Sequence, residues 1–347
     1  MNKQFLHELL STDSVSGHEI GIQKKVINYM TKFVDEIRTD YTGNVISVVN
    51  PDSPVRILLS GHIDEIGLMV THIQDNGMLK VASVGGIKVR EYPGHKVRVC
   101  TEKGYVYGMV VTNSSIYKDA DLKVSGLIID IGADSKEEAA KYVRIGDTVI
   151  FDTDYRELVD DKICARAIDD RAGAFIILEA TKRAKERGCG NGIYCVTSVG
   201  EETTMRGASW AAEGVEPTMG IAVDVTYATD YEGTNVADTG DVRLGAGPVL
   251  CNSTIISKKI NDLLKEAAKR ADIPYQVEAA VGRTGTDIDK IHFAGKGVPT
   301  SLVSLPLRYM HSPAEMGSYK DIEACINLLT EFLLLVNDNT DLDPFHV

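Results

Sequence analysis

Acidic and imidazole side chains follow several apolar runs of the sequence, at points where buried strands would end. His62 and Asp64 come directly after RILLSG. Glu201 and Glu202 follow IYCVTSVG, and Asp224 follows MGIAV. Ligands of open α/β sheets bind outside the carboxyl ends of the strands, so residues in these positions are candidates for chemistry.

Two further segments add to this set. Asp169 and Asp170 stand at the start of a predicted helix, and His311 follows the strand that leads into LPLRYM. Carboxylates gathered at one rim would repel one another unless a cation neutralised them, because unpaired buried charges are costly. The set therefore predicts a metal site. Histidine with carboxylate and no cysteine suits a reactive zinc, cobalt or manganese site better than a structural zinc site.

Each residue taken singly also has an ordinary structural explanation. A lone histidine such as His62 is usually a hydrogen-bonded surface or core residue. The Glu201–Glu202 pair is usually solvated, and adjacent aspartates such as Asp169 and Asp170 usually cap a helix. The prediction of a metal site therefore depends on the whole set and on its placement at the ends of strands.

Strands and helices alternate along most of the chain. Residues 20–36 are predicted to be helical, and after residue 162 a helix over 172–187 precedes a strand over 192–199 and another over 220–224. This alternation predicts an α/β fold, with a mostly parallel sheet and helices on both faces.

The middle of the chain has a different character. Short β-rich stretches such as KVRVC and YVYGMVV are separated by glycine and proline, which is typical of a small β domain. We expect this domain to be inserted at residues 71–162. The catalytic domain would then consist of residues 1–70 and 163–347.

The composition excludes several classes of partner. The 37 basic and 50 acidic side chains give a formal charge of -13, which disfavours nucleic acid and anionic membranes. No apolar run reaches the length of a membrane span, and the amino terminus lacks the pattern of a signal peptide, so a cytoplasmic location is predicted. The six cysteines show no metal-binding spacing and are expected to be free thiols.

Five motifs follow one another along the chain: GHIDEIGLMV at 61–70, AIDDRAGAF at 167–175, VGEETTMRGA at 199–208, VDVT at 223–226 and PLRYMHSPAEM at 306–316. They resemble those of the dinuclear metalloaminopeptidases that assemble as tetrahedral particles. This family includes glutamyl and deblocking aminopeptidases, and some of its members carry the name endoglucanase. The resemblance covers nearly the whole chain, including VSGHE at 15–19 and the predicted β domain.

The resemblance implies a ligand set for two divalent metal ions per subunit. Asp169 would bridge the two ions. His62 and Asp224 would complete one site, and Glu202 and His311 would complete the other. Zinc and cobalt are the expected metals, with manganese as an alternative, because all three accept these ligands.

The resemblance also implies how the reaction proceeds and how the subunits assemble. Glu201 would be the general base, and Asp64 would hold His62 from outside the ligand set. In related enzymes the peptide bond between the residues matching Asp169 and Asp170 is cis. The chain would release N-terminal residues from peptides with metal-activated water, and its β domains would build dimers that assemble into dodecamers.

Three other functions are alternatives. An endoglucanase or other glycosidase needs two carboxyls about 5 to 9.5 Å apart and no histidine-rich metal cluster. A deacylase could use the same metal centre. A non-catalytic assembly protein would be expected to lack a ligand or the base, yet all matching positions are occupied.

Overall fold

The computed structural model describes residues 1–346, and for residues 238 and 239 it describes only the backbone. Within these residues the chain forms an eight-stranded sheet, a closed six-stranded barrel and a small three-stranded sheet. The predicted α/β class with a separate smaller β domain is therefore confirmed.

The elements are numbered in chain order. The strands are β1 (Glu36–Thr39), β2 (Val45–Val49), β3 (Arg56–His62), β4 (Gly67–Ile73), β5 (Leu79–Val84), β6 (Lys96–Thr101), β7 (Gly104–Val110), β8 (Ile128–Asp130), β9 (Thr148–Phe151), β10 (Arg156–Glu157), β11 (Lys162–Ala165), β12 (Gly192–Ser198), β13 (Met219–Tyr227), β14 (Val249–Ser253), β15 (Gln276–Ala280), β16 (Thr300–Leu307) and β17 (Glu315–Ser318). The helices are α1 (Lys3–Ser11), α2 (Ile20–Met30), α3 (Ser114–Lys118), α4 (Lys136–Ala139), α5 (Ile168–Glu186), α6 (Arg206–Val215), α7 (Val236–Thr239), α8 (Lys258–Arg270), α9 (Ile288–Ile291) and α10 (Tyr319–Leu335).

The large sheet has the strand order β1-β2-β12-β3-β13-β16-β14-β15. Its centre is parallel, because β3 pairs in parallel with β12 and β13, and β13 pairs in parallel with β16. These strands are buried over almost their whole length. Continuous apolar runs are typical of parallel strands that helices cover on both faces.

The two faces of the sheet contact different helices. Ile57 and Leu59 of β3 belong to a large apolar core that includes Phe175 of α5 and Leu329 of α10. Leu58, which points to the opposite face, belongs to a smaller core with residues of α6 and α9. Alternation along β3 therefore places His62, its last residue, on the face that carries α6 and α9.

A close approach of helix to strand holds the start of α5 against the sheet. A side chain at Gly61 would lie 2.8 Å from the backbone nitrogen of Ala174. Glycine at this position therefore lets α5 pack directly on β3, and this contact brings the Asp169 end of the helix beside His62.

The barrel is formed by β4 to β9 and has its own apolar core, which includes Leu68, Val99 and Ile129. Its strands run from Gly67 to Phe151. The turn after β5 contains Gly85 and Gly86, which reach back to the large sheet. The barrel therefore contributes backbone to the region where the predicted site residues meet.

One predicted helix is too long. Residues 20–36 were expected to be helical, but α2 ends at Met30 and Glu36 begins β1, which pairs antiparallel with β2. Pairing of β1 with β2 overrides the helical spacing of the apolar residues. No helix among residues 1–346 is long and apolar enough to cross a membrane.

Candidate active site

The predicted site residues come together where the central parallel strands end. His62 is the last residue of β3, and Glu201 and Glu202 lie in the turn that follows β12. Asp224 lies inside β13 rather than beyond it, and His311 follows β16. Neighbouring parallel strands end at the same edge of a sheet, so segments that are far apart in sequence meet here.

The carboxylate of Asp169 lies between two imidazole rings. His62 Nε2 is 3.2 Å from Asp169 Oδ1, and His311 Nε2 is 3.1 Å from Asp169 Oδ2. His62 and Asp169 are buried, and His311 is partly buried. The two oxygens of one carboxylate thus face two histidines from different segments. This arrangement matches the bridging position that the resemblance implies for Asp169.

The other nitrogen of each ring has its own partner. His62 Nδ1 lies 3.2 Å from the backbone oxygen of Asp64 and 3.4 Å from Asp64 Oδ1. His311 Nδ1 lies 2.9 Å from the backbone oxygen of Gly86, in the turn of the barrel. If each Nδ1 donates its proton to these oxygens, each Nε2 presents a lone pair toward Asp169. Histidines that bind metals are held in this way.

Asp64 also fixes the turn that carries the two glutamates. The backbone N–H groups of Glu201 and Glu202 donate to the carboxylate of Asp64 at 3.1 and 3.3 Å. The hydroxyl of Ser16 donates to the same carboxylate. Asp64 is completely buried, so one acid holds both a histidine and the backbone of both glutamates.

The side chains of the glutamates extend toward the histidines. Glu201 Oε2 is 3.7 Å from His62 Nε2, and Glu202 Oε1 is 3.7 Å from His311 Nε2. Ligand atoms of His62, Asp169 and Glu202 all lie within 4.8 Å of one another. A second group with the same spacing consists of His62, Asp170 and Asp224.

Several carboxyl groups of the site hold their protons more strongly than free carboxyl groups do. Burial, with a contribution from Asp224 and Asp169, raises the pKa of Glu201 to about 10. Burial likewise raises the pKa of Asp224 to about 8 and that of Glu202 well above its ordinary value. Burial alone would raise the pKa of Asp169 too, but His311 and His62 lower it. The site therefore concentrates carboxyl groups without enough positive charge to balance them.

Two acids of the site were not assigned a role from the sequence. Glu315 accepts hydrogen bonds from the backbone nitrogens of His311 at 2.7 Å and of Asp169 at 3.1 Å. Asp170 accepts from the backbone nitrogen of His62 at 3.1 Å. The peptide bond between Asp169 and Asp170 is cis, as expected. Glu315 lies four residues after His311, and this short separation was the only feature of the sequence that could have indicated its role in the site.

A second group of buried charges lies beside the site. Glu65 forms ion pairs with Arg166 and Arg171, and all three side chains are at most 4% exposed. Arg171 also donates to the hydroxyl of Ser14 at 2.8 Å. Glu65 directly follows Asp64, and Arg166 and Arg171 flank Asp169. These ion pairs therefore join the segment that contains Asp64 to the segment that contains the predicted metal ligand Asp169.

The sequence matches a protein family over most of its length. The model of the M42 glutamyl aminopeptidase family matches residues 43–328. The chain belongs to this family. It is therefore an aminopeptidase, an enzyme that hydrolyses peptide bonds, and members of the family depend on metal. The predicted function and the resemblance given above are confirmed at this level.

Individual relatives agree with the family. A putative aminopeptidase of Acetivibrio thermocellus is 38% identical over 91% of this chain and 94% of its own length. A lysyl aminopeptidase of Pyrococcus furiosus is 34% identical over 95% of this chain and 96% of its own. The TET aminopeptidase of a marine Thaumarchaeota archaeon superposes with a TM-score of 0.92 at 29% identity, with 97% of each chain covered.

Two further solved structures bear on assembly and on the alternative functions. The TET1 peptidase of Pyrococcus horikoshii, described as assembling into a tetrahedron or a large octahedral shell, has a TM-score of 0.86 at 29% identity and covers 96% of this chain and 99% of its own. A protein of Thermotoga maritima described as an endoglucanase has a TM-score of 0.76 at 29% identity, with 94% and 96% covered.

Proposed function

We propose that this aminopeptidase removes N-terminal residues from peptides at a centre of two divalent cations. Asp169 would be shared between them, with His62 and Asp224 on one side and Glu202 and His311 on the other. The observation that carries the proposal is the placement of the Asp169 oxygens 3.2 and 3.1 Å from the two Nε2 atoms.

The residues fit a pair of cations. Glu201 Oε1 and Glu202 Oε1 are buried and have no hydrogen-bond partner among the described residues. Buried carboxylates in this state need a positive charge or a proton. The donor set of imidazole and carboxylate suits zinc, cobalt or manganese, of which we propose zinc or cobalt. Such ions supply a Lewis acid that polarises a carbonyl and lowers the pKa of water.

Glu201 is proposed to act as the general base. Its Oε2 lies near His62, while its Oε1 has no hydrogen-bond partner among the described residues. Bound cations would lower the raised pKa of this buried carboxyl group, so that it could take a proton from water and return it to the leaving nitrogen of the peptide. Asp64 would position this group, since it accepts the backbone N–H of Glu201 and also faces His62. The side chain of Glu201 approaches His62 and that of Glu202 approaches His311, which allows the two glutamates separate roles.

The barrel is proposed to form subunit contacts. Tyr105, Tyr107 and Met109 alternate along β7 and are 41%, 62% and 45% exposed, so one face of this strand presents apolar side chains to solvent. Contiguous exposed apolar surface often marks an interface between proteins. We propose that dimers formed in this way assemble into a dodecamer in the cytoplasm, with peptides as the substrates.

A substrate panel tests the proposed function. Metal-depleted protein is assayed with aminoacyl p-nitroanilides, with an N-acetylated anilide and with carboxymethylcellulose, before and after addition of zinc, cobalt or manganese. We expect metal to restore cleavage of substrates with a free amine only. Cleavage of the acetylated anilide would favour a deacylase, and release of sugar ends would favour the glycosidase. Full activity without metal would contradict the proposal.

A further inference from the structure

The face of the sheet that carries the metal-site residues continues beyond Asp224. Thr226 is two residues further along β13, so its side chain points to the same face as Asp224. Ser304 of β16 is paired in register with Asp224 and lies one strand away, about 4.8 Å. Two hydroxyl groups thus stand on this face beside a proposed metal ligand.

These hydroxyls hold one acidic side chain. Thr226 Oγ1 donates to Glu278 Oε2 at 2.5 Å, and Ser304 Oγ donates to Glu278 Oε1 at 3.1 Å. Glu278 belongs to the edge strand β15, so these hydrogen bonds join strands that are not neighbours in the sheet. The two hydrogen bonds fix both carboxylate oxygens of Glu278 next to the site.

Glu278 has no balancing charge of its own. No lysine or arginine among residues 1–346 forms an ion pair with this carboxylate, although the side chain is half-buried. Burial raises the pKa of Glu278, and only the two hydroxyl groups oppose that rise. A half-buried carboxylate that is held in place but not paired with a cation is suited to bind a cation that arrives with the substrate.

We propose that Glu278 is a specificity-determining residue that accepts the cationic side chain of an N-terminal lysine or arginine of the peptide. This inference rests on the proposed function, because the metal centre fixes where the first residue of the substrate lies. Carbon–carbon bonds of about 1.5 Å give a lysine side chain a reach of about 6 Å from Cα to its nitrogen. The hydroxyl groups that hold Glu278 lie about one to two residue spacings of a strand away from Asp224. The reach of a lysine side chain matches that distance.

The test compares substrates whose side chains share the same carbon chain and differ in the terminal amine. Lysyl and norleucyl p-nitroanilides are assayed with the metal-loaded wild type, the Glu278→Gln variant and the control Glu266→Gln, which changes an exposed acid on α8. We expect the wild type and the control to prefer lysine. In Glu278→Gln the ratio of lysyl to norleucyl kcat/KM should fall by about 10- to 100-fold, the range of one hydrogen bond to a charged group, with norleucyl hydrolysis within about twofold of wild type.

The remaining outcomes overturn the inference in distinguishable ways. Equal loss of both substrates in Glu278→Gln would mean that Glu278 binds the α-amine or only supports the sheet. An unchanged ratio would mean that it does not contact the substrate. No hydrolysis of any anilide by the wild type would instead overturn the proposed function.

Inhibition of the wild type provides a readout that does not depend on folding of the variant. Lysinamide and norleucinamide are compared as competitive inhibitors of norleucyl p-nitroanilide hydrolysis. We expect lysinamide to bind about 10-fold more tightly or better. Equal inhibition by the two amides would overturn the inference.

Discussion

Two groups of buried charge lie side by side in this enzyme, and they are balanced in different ways. At the candidate metal centre, carboxyl groups outnumber the two histidines, and burial raises the pKa of Glu201 to about 10 and that of Asp224 to about 8. In the neighbouring group, Glu65 meets Arg166 and Arg171. Burial would raise the pKa of Glu65, but the two guanidinium groups lower it.

The difference separates a structural group from a functional one. The ion pairs of Glu65 are complete within the chain, so they can join segments without any ligand. The candidate metal centre is incomplete within the chain, since one oxygen each of Glu201 and Glu202 has no hydrogen-bond partner among the described residues. A buried cluster of this kind is balanced by protons or by cations, and the proposed function assigns that part to two divalent cations.

Glu202→Gln should give the largest effect on function. Loss of one ligand charge should weaken metal binding and abolish hydrolysis. The metal-free variant should nevertheless be no less stable than the metal-free wild type, because burial raises the pKa of Glu202 and a neutral amide resembles the protonated carboxyl group. Elemental analysis, anilide assays and thermal unfolding in a chelator measure the three quantities. An unfolding temperature that is lower for the metal-free variant than for the metal-free wild type would contradict the account, because it would mean that Glu202 stabilises the fold as Glu65 does.

Arg171→Met should have the opposite pattern. It leaves Glu65 with one partner, and removal of one member of a buried ion pair typically costs about 3 to 5 kcal/mol of unfolding free energy. Urea unfolding of the metal-free protein measures this loss. Asp241→Asn is the matched control, since Asp241 pairs with Arg243 at the surface and its removal should change little. Equal stability of Arg171→Met and wild type would refute the structural role of Arg171.

Asp64→Asn should have an intermediate effect. Asp64 faces His62 and holds the backbone of Glu201 and Glu202, so its charge orients the ligands rather than binding the metal itself. Groups in this position typically account for about 10- to 100-fold of metal affinity or activity. Metal titration and kcat/KM report the loss. Unchanged values for both would show that the histidine and the turn are held without this acid.

A change of pH should have the smallest effect, and it should act on the stabilisation that the Glu65 ion pairs provide. Because the folded state lowers the pKa of Glu65, its stabilisation is complete above the unfolded value of about 4.3 and is lost as the pH falls through the lower folded value. The stability difference between wild type and Arg171→Met should therefore be constant from pH 7 to about 5 and should narrow at lower pH. A difference that grows on acidification would contradict the assigned sign.

The sequence predicted the parts of the site that carry a local signal. His62, Glu201 and Glu202 follow recognisable apolar strands, and the motifs around Asp169 and His311 supplied the rest. A separate small β domain was predicted from its short strands and glycines, although its closure into a barrel was not. These features depend on neighbouring residues, so a sequence alone can reveal them.

Other features depend on contacts between distant segments. Glu315 holds the backbone of Asp169, which is 146 residues away in sequence, and Glu278 meets Thr226 over 52 residues. The barrel supplies a backbone oxygen to His311 across 225 residues. Neither acid stands in a run of polar residues, and the local sequence does not show which distant segment either one contacts. The end of α2 at Met30 was missed for the same reason, since β1 forms only by pairing with β2.

The metal content and turnover of Glu201→Gln test the central claim most directly. The substitution keeps the shape of the side chain but removes the base, while all five proposed ligands remain. We predict two divalent cations per chain, as in the wild type, and a loss of kcat of about 10²- to 10⁴-fold, the range of general base catalysis. Near-normal turnover in the variant, or a wild type that takes up no metal, would contradict the account.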